Sequence, residues 1–133
     1  MATLTQEMKD MIATQQCFIA TVDENCIPNV APKRSTRVLN DHSLVFTEGT
    51  GKTTFNNIKR GSKVAIGVVN REILDGYRFV GTAEMLDNGE LFDMAAAMSQ
   101  KMNLPKPYAV VIVNIETIYS LKPGPTAGQK ISD

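Results

Sequence analysis

The sequence predicts an α+β protein, mainly β, in which six antiparallel strands form a barrel and three helices pack outside it. Apolar strand-like runs recur along the chain. Short turns rich in Asn, Asp and Gly join most of them, and only three stretches show helical spacing. Strands linked by hairpins and short loops favour an antiparallel barrel over βαβ units, whose crossovers need a dozen residues or more.

The first helix is predicted from Leu4 to Gln16, with Thr3 and Gln6 spaced as a capping box and Leu4, Met8, Met11 and Ile12 on one face. Cys17 to Val22 reads as a strand and Asp23-Glu24-Asn25 as a turn. Ile27-Pro28-Asn29 leads into one long strand, Val30 to Leu39. Asn40-Asp41-His42 makes a tight turn, so this strand forms a hairpin with Leu44–Thr47, and His42 is an exposed turn residue. A short helix runs from Thr53 to Arg60, stopped by Gly61, and Val64–Val69 is a nearly continuous apolar strand. After the polar connection Arg71 to Gly76, Tyr77–Leu86 is a strand with Phe79, Gly81, Ala83 and Met85 on one side.

Asp87-Asn88-Gly89-Glu90 opens a third helix, Glu90 to Met102, whose apolar face is Leu91, Met94, Ala95, Met98 and Met102. A methionine stripe is either a soft binding surface or core, and the core reading is preferred. Pro105 and Pro107 end this helix, and Tyr108–Ser120 is the last strand. The remainder, 122–133, carries two prolines and two glycines and is predicted to be an irregular tail on a single domain, 1–133.

Composition narrows the function classes. Lys+Arg and Asp+Glu both number 14, so no net charge draws the chain to nucleic acid or to a membrane surface. No apolar run approaches the ~20 residues that span a bilayer. The N-terminus, MATLTQEMKDMI, contains acids and lacks a basic-then-apolar signal pattern, so it reads as mature protein, while two cysteines read as reduced point to the cytoplasm. Cys17 and Cys26 form neither a disulfide framework nor a zinc site, and a lone histidine, His42, is too few for a His-based metal centre or catalytic triad. No metal is expected, and Cys17 reads as core.

The most informative stretch is LVFTEGTGKTTFNNIKRGSKVAIGVV, Leu44 to Val69: strand, glycine-rich turn, short helix, strand. The turn places Gly49, Gly51, Lys52, Thr53 and Thr54 at the helix start. Unpaired N–H groups there favour anions, phosphate above all, and Lys52 adds a full charge. A nucleotide-binding P-loop is disfavoured, because counting back from Gly51-Lys52-Thr53 puts Phe46 where that motif needs its first glycine. Two readings stay open on the residues alone: a corner for a cofactor phosphate, or a polar turn without a ligand.

Taken together, the leading helix, the PNVAP segment, the central block from Leu44 to Val69 and the long final strand resemble the pyridoxamine 5′-phosphate oxidase-like, FMN-binding split-barrel proteins, particularly the short single-domain members. The resemblance covers nearly the whole chain. It implies a six-stranded split barrel, FMN as cofactor, and a homodimer with FMN at the interface. It implies phosphate contacts from the turn Lys52–Asn56, so that Thr47, Gly49, Gly51, Lys52, Thr53 and Asn56 are cofactor-binding candidates. The isoalloxazine ring is expected along Pro32, Lys33, Arg34 and Ser35. A reduced flavin gathers negative charge at its N1–O2 edge, and Lys33 or Arg34 is the candidate cation there, one of the two because neighbouring strand residues face opposite sides.

The chain departs from the oxidase in two respects: the tail SLKPGPTAGQK lacks the Arg- and His-bearing segment that binds pyridoxamine phosphate, and the oxidase's flavin-strand arginine falls on Ala31. The expected function is therefore an FMN-dependent oxidoreductase of unknown substrate, with a small molecule or a redox protein as partner. The alternatives are a non-enzymatic FMN-binding or electron-transfer protein, or a split barrel binding a deazaflavin. Catalytic residues remain unassigned; Tyr77, Tyr108 and Tyr119 are better read as packing residues than as proton donors.

Overall fold

Alternation of apolar residues sets one side of each strand into a common core. β1 (Cys17–Val22) buries Cys17, Ile19 and Thr21, β5 (Val64–Asn70) buries Val64, Ile66 and Val68, and β6 (Asp75–Leu86) adds Tyr77 and Phe79. β4 (Ser43–Glu48) contributes Leu44 and Phe46, and β7 (Ala109–Ser120) contributes Val111, Val113, Ile115 and Ile118. The computed structural model describes residues 2–132. With β2 (Pro28–Pro32) and β3 (Arg37–Asn40), the strands form one antiparallel sheet in the order β2-β1-β5-β6-β7-β4-β3.

That order corrects two expectations. Among the described residues there are seven strands, not six, and the sheet does not close, because β2 and β3 are its two edges. The single strand predicted over Val30–Leu39 is broken at residues 33–36. Pro32 pairs with Phe18 on β1, and the chain then turns: Thr36 donates through both its N–H and its hydroxyl to the Lys33 carbonyl, at 3.1 and 2.7 Å. It resumes as β3 against β4, on the other edge. Consecutive residues thus lie on opposite sides of a seam in the sheet.

β6 and β7 pair from Tyr77 opposite Ser120 to Leu86 opposite Val110 with one irregularity, where Val80 faces Thr117 and Gly81 faces Ile115. The extra residue, Glu116, reverses the parity of β7, so that Val111, Val113 and Ile115 share the core side with Ile118. Gly81 makes this possible: a Cβ there would stand 2.0 Å from the Asn114 carbonyl oxygen.

α1 (Gln6–Thr14) seats Met8, Met11 and Ile12 in the core, as its spacing predicts, and Leu4 just ahead of it is buried as well. Its cap is Thr5 rather than Thr3. The Thr5 hydroxyl accepts from the Met8 N–H, and the Met8 sulfur accepts from the Thr5 N–H, so a thioether takes the part that Gln6 was expected to play. His42 is half-buried instead of exposed, with Nδ1 2.9 Å from the Ala2 carbonyl. The tail is irregular as expected, although it folds back along β7 through a bridge between Tyr119 and Lys130.

α3 (Glu90–Lys101) is the largest correction to a packing expectation. It lies on the outer side of β7 and β4, burying Phe92, Ala95 and Ser99 over Val45, Val110 and Ile112. Phe92 is the bulkiest apolar residue on the helix and turns it by roughly one position. Met94, Met98 and Met102 then point to solvent, 61, 57 and 53% exposed. Of the four methionines in or beside this helix, Met85, Met94, Met98 and Met102, Met85 on β6 alone packs against the core.

A second apolar surface remains on the outer side of β2, β1 and β5. Phe18, Ala20 and Val22 alternate with the buried side of β1, Val30 lies opposite Ala20, and Gly67 opposite Phe18. Phe18 is 46% and Val30 65% exposed. This surface runs up to Pro32, the last residue before the seam.

Gly81→Ala is expected to lower unfolding free energy by about 3 kcal/mol, since the new methyl meets backbone rather than a side chain that could turn away. Urea denaturation followed by far-UV circular dichroism checks this.

Candidate functional site

The chain crosses the seam twice. Residues 33–36 carry it from β2 to β3. The glycine turn 49–52 and α2 (Thr53–Lys59) carry it back from β4 to pack on β1 and β2. Most of the predicted cofactor residues fall on these two crossings, and two contacts hold the crossings together. Ser35 Oγ accepts from the Thr47 N–H at 2.8 Å, and Lys33 Nζ stands 2.9 Å from Glu48 Oε1.

Glu48 is the residue that sequence reasoning missed. It is the last residue of β4 and its side chain is fully buried. Its Oε2 accepts from the N–H groups of Thr50 and Gly51, both at 2.9 Å, and from the Thr50 hydroxyl at 3.0 Å. Its Oε1 has charge pairing from Lys33 but lies off the hydrogen-bond direction and has no hydrogen-bond donor among the described residues. Burial alone would raise the carboxyl's pKa. The Gly51 N–H, the Lys33 ammonium and the Thr50 N–H outweigh burial and leave it below the ordinary value. The only sequence signal was a carboxylate ending an otherwise apolar strand just before a glycine turn, a position that usually reads as solvated.

The turn itself is tightly built. Gly51 has φ +65°, and a Cβ there would come within 2.7 Å of the Tyr108 ring, which also packs against Phe55 with centroids 5.6 Å apart. Gly51 is therefore required twice over, for its conformation and for the ring above it. Tyr108 N–H donates to the Glu48 carbonyl at 2.9 Å. Tyr108 thus flanks the turn, whereas Tyr77 is buried in the core and Tyr119 lies under Arg78, 4.3 Å from guanidinium to ring centre.

α2 is seated by buried polar contacts instead of by a wide apolar face. Asn29 on β2 donates to the Thr54 hydroxyl at 3.1 Å, and Asn57 donates to the Thr21 hydroxyl on β1 at 3.0 Å. These turn Thr54 inward and leave Lys52, Thr53 and Asn56 exposed at the first turn. Their side chains make no hydrogen bond or ion pair among the described residues. A cation, a hydroxyl and an amide beside the unpaired N–H groups of a helix start suit an anion the size of phosphate. The N–H groups of Thr50 and Gly51 do not contribute, because Glu48 has taken them.

The predicted residues therefore divide. Lys33, Ser35, Thr47 and Gly51 are joined around Glu48. Lys52, Thr53 and Asn56 form the exposed donor set, Gly49 is an exposed turn residue, and Pro32 and Arg34 are exposed on the first crossing. Two concavities lie away from this region: one of about 460 Å³ between α3 and the loop after it, another of about 540 Å³ beside Gln15 and Arg71. Neither brings together titratable groups comparable to Lys33 and Glu48.

The sequence matches the family model for pyridoxamine 5′-phosphate oxidase over residues 4–122. A crystal structure of HupZ from Group A Streptococcus has 43% sequence identity and a TM-score of 0.82, covering 94% of this chain and 99% of that one. An uncharacterized protein of Methanocaldococcus jannaschii is 33% identical over 132 residues, covering 97% of this chain and 88% of its own. An FMN-binding protein from Syntrophomonas wolfei superposes with a TM-score of 0.74 at 20% identity, over 88% of this chain and 85% of that one, a likeness of fold.

The Glu48 contacts predict an acid dependence. A folded-state pKa below the ordinary 4.5 stabilises the fold fully above that value, and the contribution is lost as pH falls through the folded pKa. Glu48→Gln should therefore cost about 2 kcal/mol at pH 7 and flatten the stability profile below pH ~4.5. Some slope should persist, because Asp41, hydrogen-bonded to Lys9, is depressed as well. Thermal unfolding of both proteins from pH 3 to 7 checks this; parallel profiles would contradict it.

Proposed function

We propose that this chain, which belongs to the pyridoxamine 5′-phosphate oxidase family, is a flavoprotein that holds FMN across the seam. The observation that carries the reading is the meeting of its two crossings at Lys33–Glu48 and Ser35–Thr47. These contacts bring the segment expected to lie along the isoalloxazine ring against the segment expected to bind the phosphate. Lys52, Thr53 and Asn56 with the first N–H groups of α2 hold the phosphate, and the stretch Pro32–Ser35 borders the ring. FMN supplies hydride or single-electron transfer when bound. The protein supplies orientation, charge and exclusion of water.

The site is open on one chain, and the apolar surface carrying Phe18 and Val30 leads directly to it. An apolar sheet face of this kind favours a partner, and a two-fold copy of the same face would cover both patches and complete the pocket. The reading is therefore a homodimer with FMN at the interface, working in the cytoplasm with a small molecule or a redox protein as reaction partner.

FMN should bind when added, and Lys52→Ala should weaken that binding by roughly ten- to hundredfold, the value of one charge-assisted hydrogen bond. The fold should survive, since an exposed helix start tolerates alanine. Riboflavin has no phosphate, so its affinity should barely change. Calorimetry with both ligands checks this, and light scattering on the same samples should give a dimer. Equal loss of both ligands, or of neither, would place the phosphate elsewhere.

A further inference from the structure

Lys33 and Arg34 are adjacent cations on the first crossing, and either could in principle face the flavin. We infer that Glu48 withdraws Lys33 into a positioning pair and leaves Arg34 as the cation that this crossing presents to the N1–O2 edge of the ring, a step that rests on the flavin reading above.

Lys33 is committed at every polar atom. Its N–H donates to the Cys17 carbonyl at 3.2 Å, and its carbonyl accepts from the N–H and the hydroxyl of Thr36. Its side chain is 10% exposed and its ammonium lies 2.9 Å from Glu48 Oε1. With the backbone pinned on both sides, the ammonium cannot swing toward a ligand without leaving a fully buried carboxylate with no counter-charge. Glu48 cannot follow it, because its other oxygen is held by Thr50 and Gly51. The pair is therefore close to neutral as seen from the seam.

The neighbouring cations are accounted for in the same way. Arg37 donates through Nη1 to the Ser35 carbonyl at 2.9 Å, a bond internal to the crossing. Arg34 is exposed and has no hydrogen bond or ion pair among the described residues. Its planar fork of donors suits a two-acceptor edge such as N1 and O2, where charge accumulates on reduction. Lys33 and Glu48 act through the crossing they brace, and Arg34 is the residue that meets the ligand.

The experiment measures FMN affinity in the oxidised and the dithionite-reduced states, together with urea midpoints of the ligand-free protein. Arg34→Gln should bind oxidised FMN within about threefold of wild type, lose roughly tenfold in affinity for reduced FMN, and keep its urea midpoint. Lys33→Met alone should lower the midpoint, because it strands a buried carboxylate. Lys33→Met combined with Glu48→Gln should recover most of the midpoint and keep the wild-type ratio of oxidised to reduced affinity. A ratio that shifts in the double variant and not in Arg34→Gln would make Lys33 the flavin cation and overturn the assignment. Wild-type protein that binds FMN in neither state would overturn the flavin reading and this assignment together, and the urea midpoints would then report on the Lys33–Glu48 brace alone.

Discussion

The structure depends on one constraint: a seven-stranded sheet whose ladder stops at β2 on one side and β3 on the other. No backbone hydrogen bonds join these edges, so the seam must be held by other means. The chain crosses it at residues 33–36 and again through the glycine turn and α2. A buried ion pair, a serine hydroxyl and the Asn–Thr contacts beneath α2 take the place of a ladder. Side-chain contacts of this kind allow sharp turns and outward-facing donors that a paired strand would not. This is why groups able to bind a ligand collect here while the rest of the sheet is packed with Val, Ile and Phe.

The cost of the arrangement is concentrated at Glu48. A buried carboxylate is unfavourable unless its oxygens are met by donors and its charge by a counterion, and both are supplied locally. The same contacts define the chemistry nearby. They consume the N–H groups of Thr50 and Gly51 and hold Lys33 inward, so the free donors shift to the first turn of α2 and the free charge to Arg34 and Lys52. Cys17 close by is buried, which pushes its thiol up to about 11 and disfavours the nucleophilic thiolate.

Much of this was legible in the sequence. The apolar face of α1, the bounds of β1 and β5, the stop of α2 at Gly61 and the glycine turn follow from spacing and turn chemistry, which are local signals. What was not legible is non-local. Val30 to Leu39 keeps the appearance of one strand, because nothing within it announces that its halves pair with different partners; Pro32 is the sole hint. The methionines of α3 looked like core until Phe92 took the buried side, a choice made by the shape of β7 and β4. Nothing in the sequence singles out Glu48, because its donors come from a turn that forms only in the folded chain.

The central claim is that FMN sits across the seam, touching both crossings at once. Hydrogen–deuterium exchange with and without FMN tests it most directly, since amides in both segments report together. The account predicts slowed exchange over residues 32–36 and 47–56 on addition of FMN, with the β6–β7 ladder unchanged. Slowing confined to one crossing, or appearing only around α3, would contradict it.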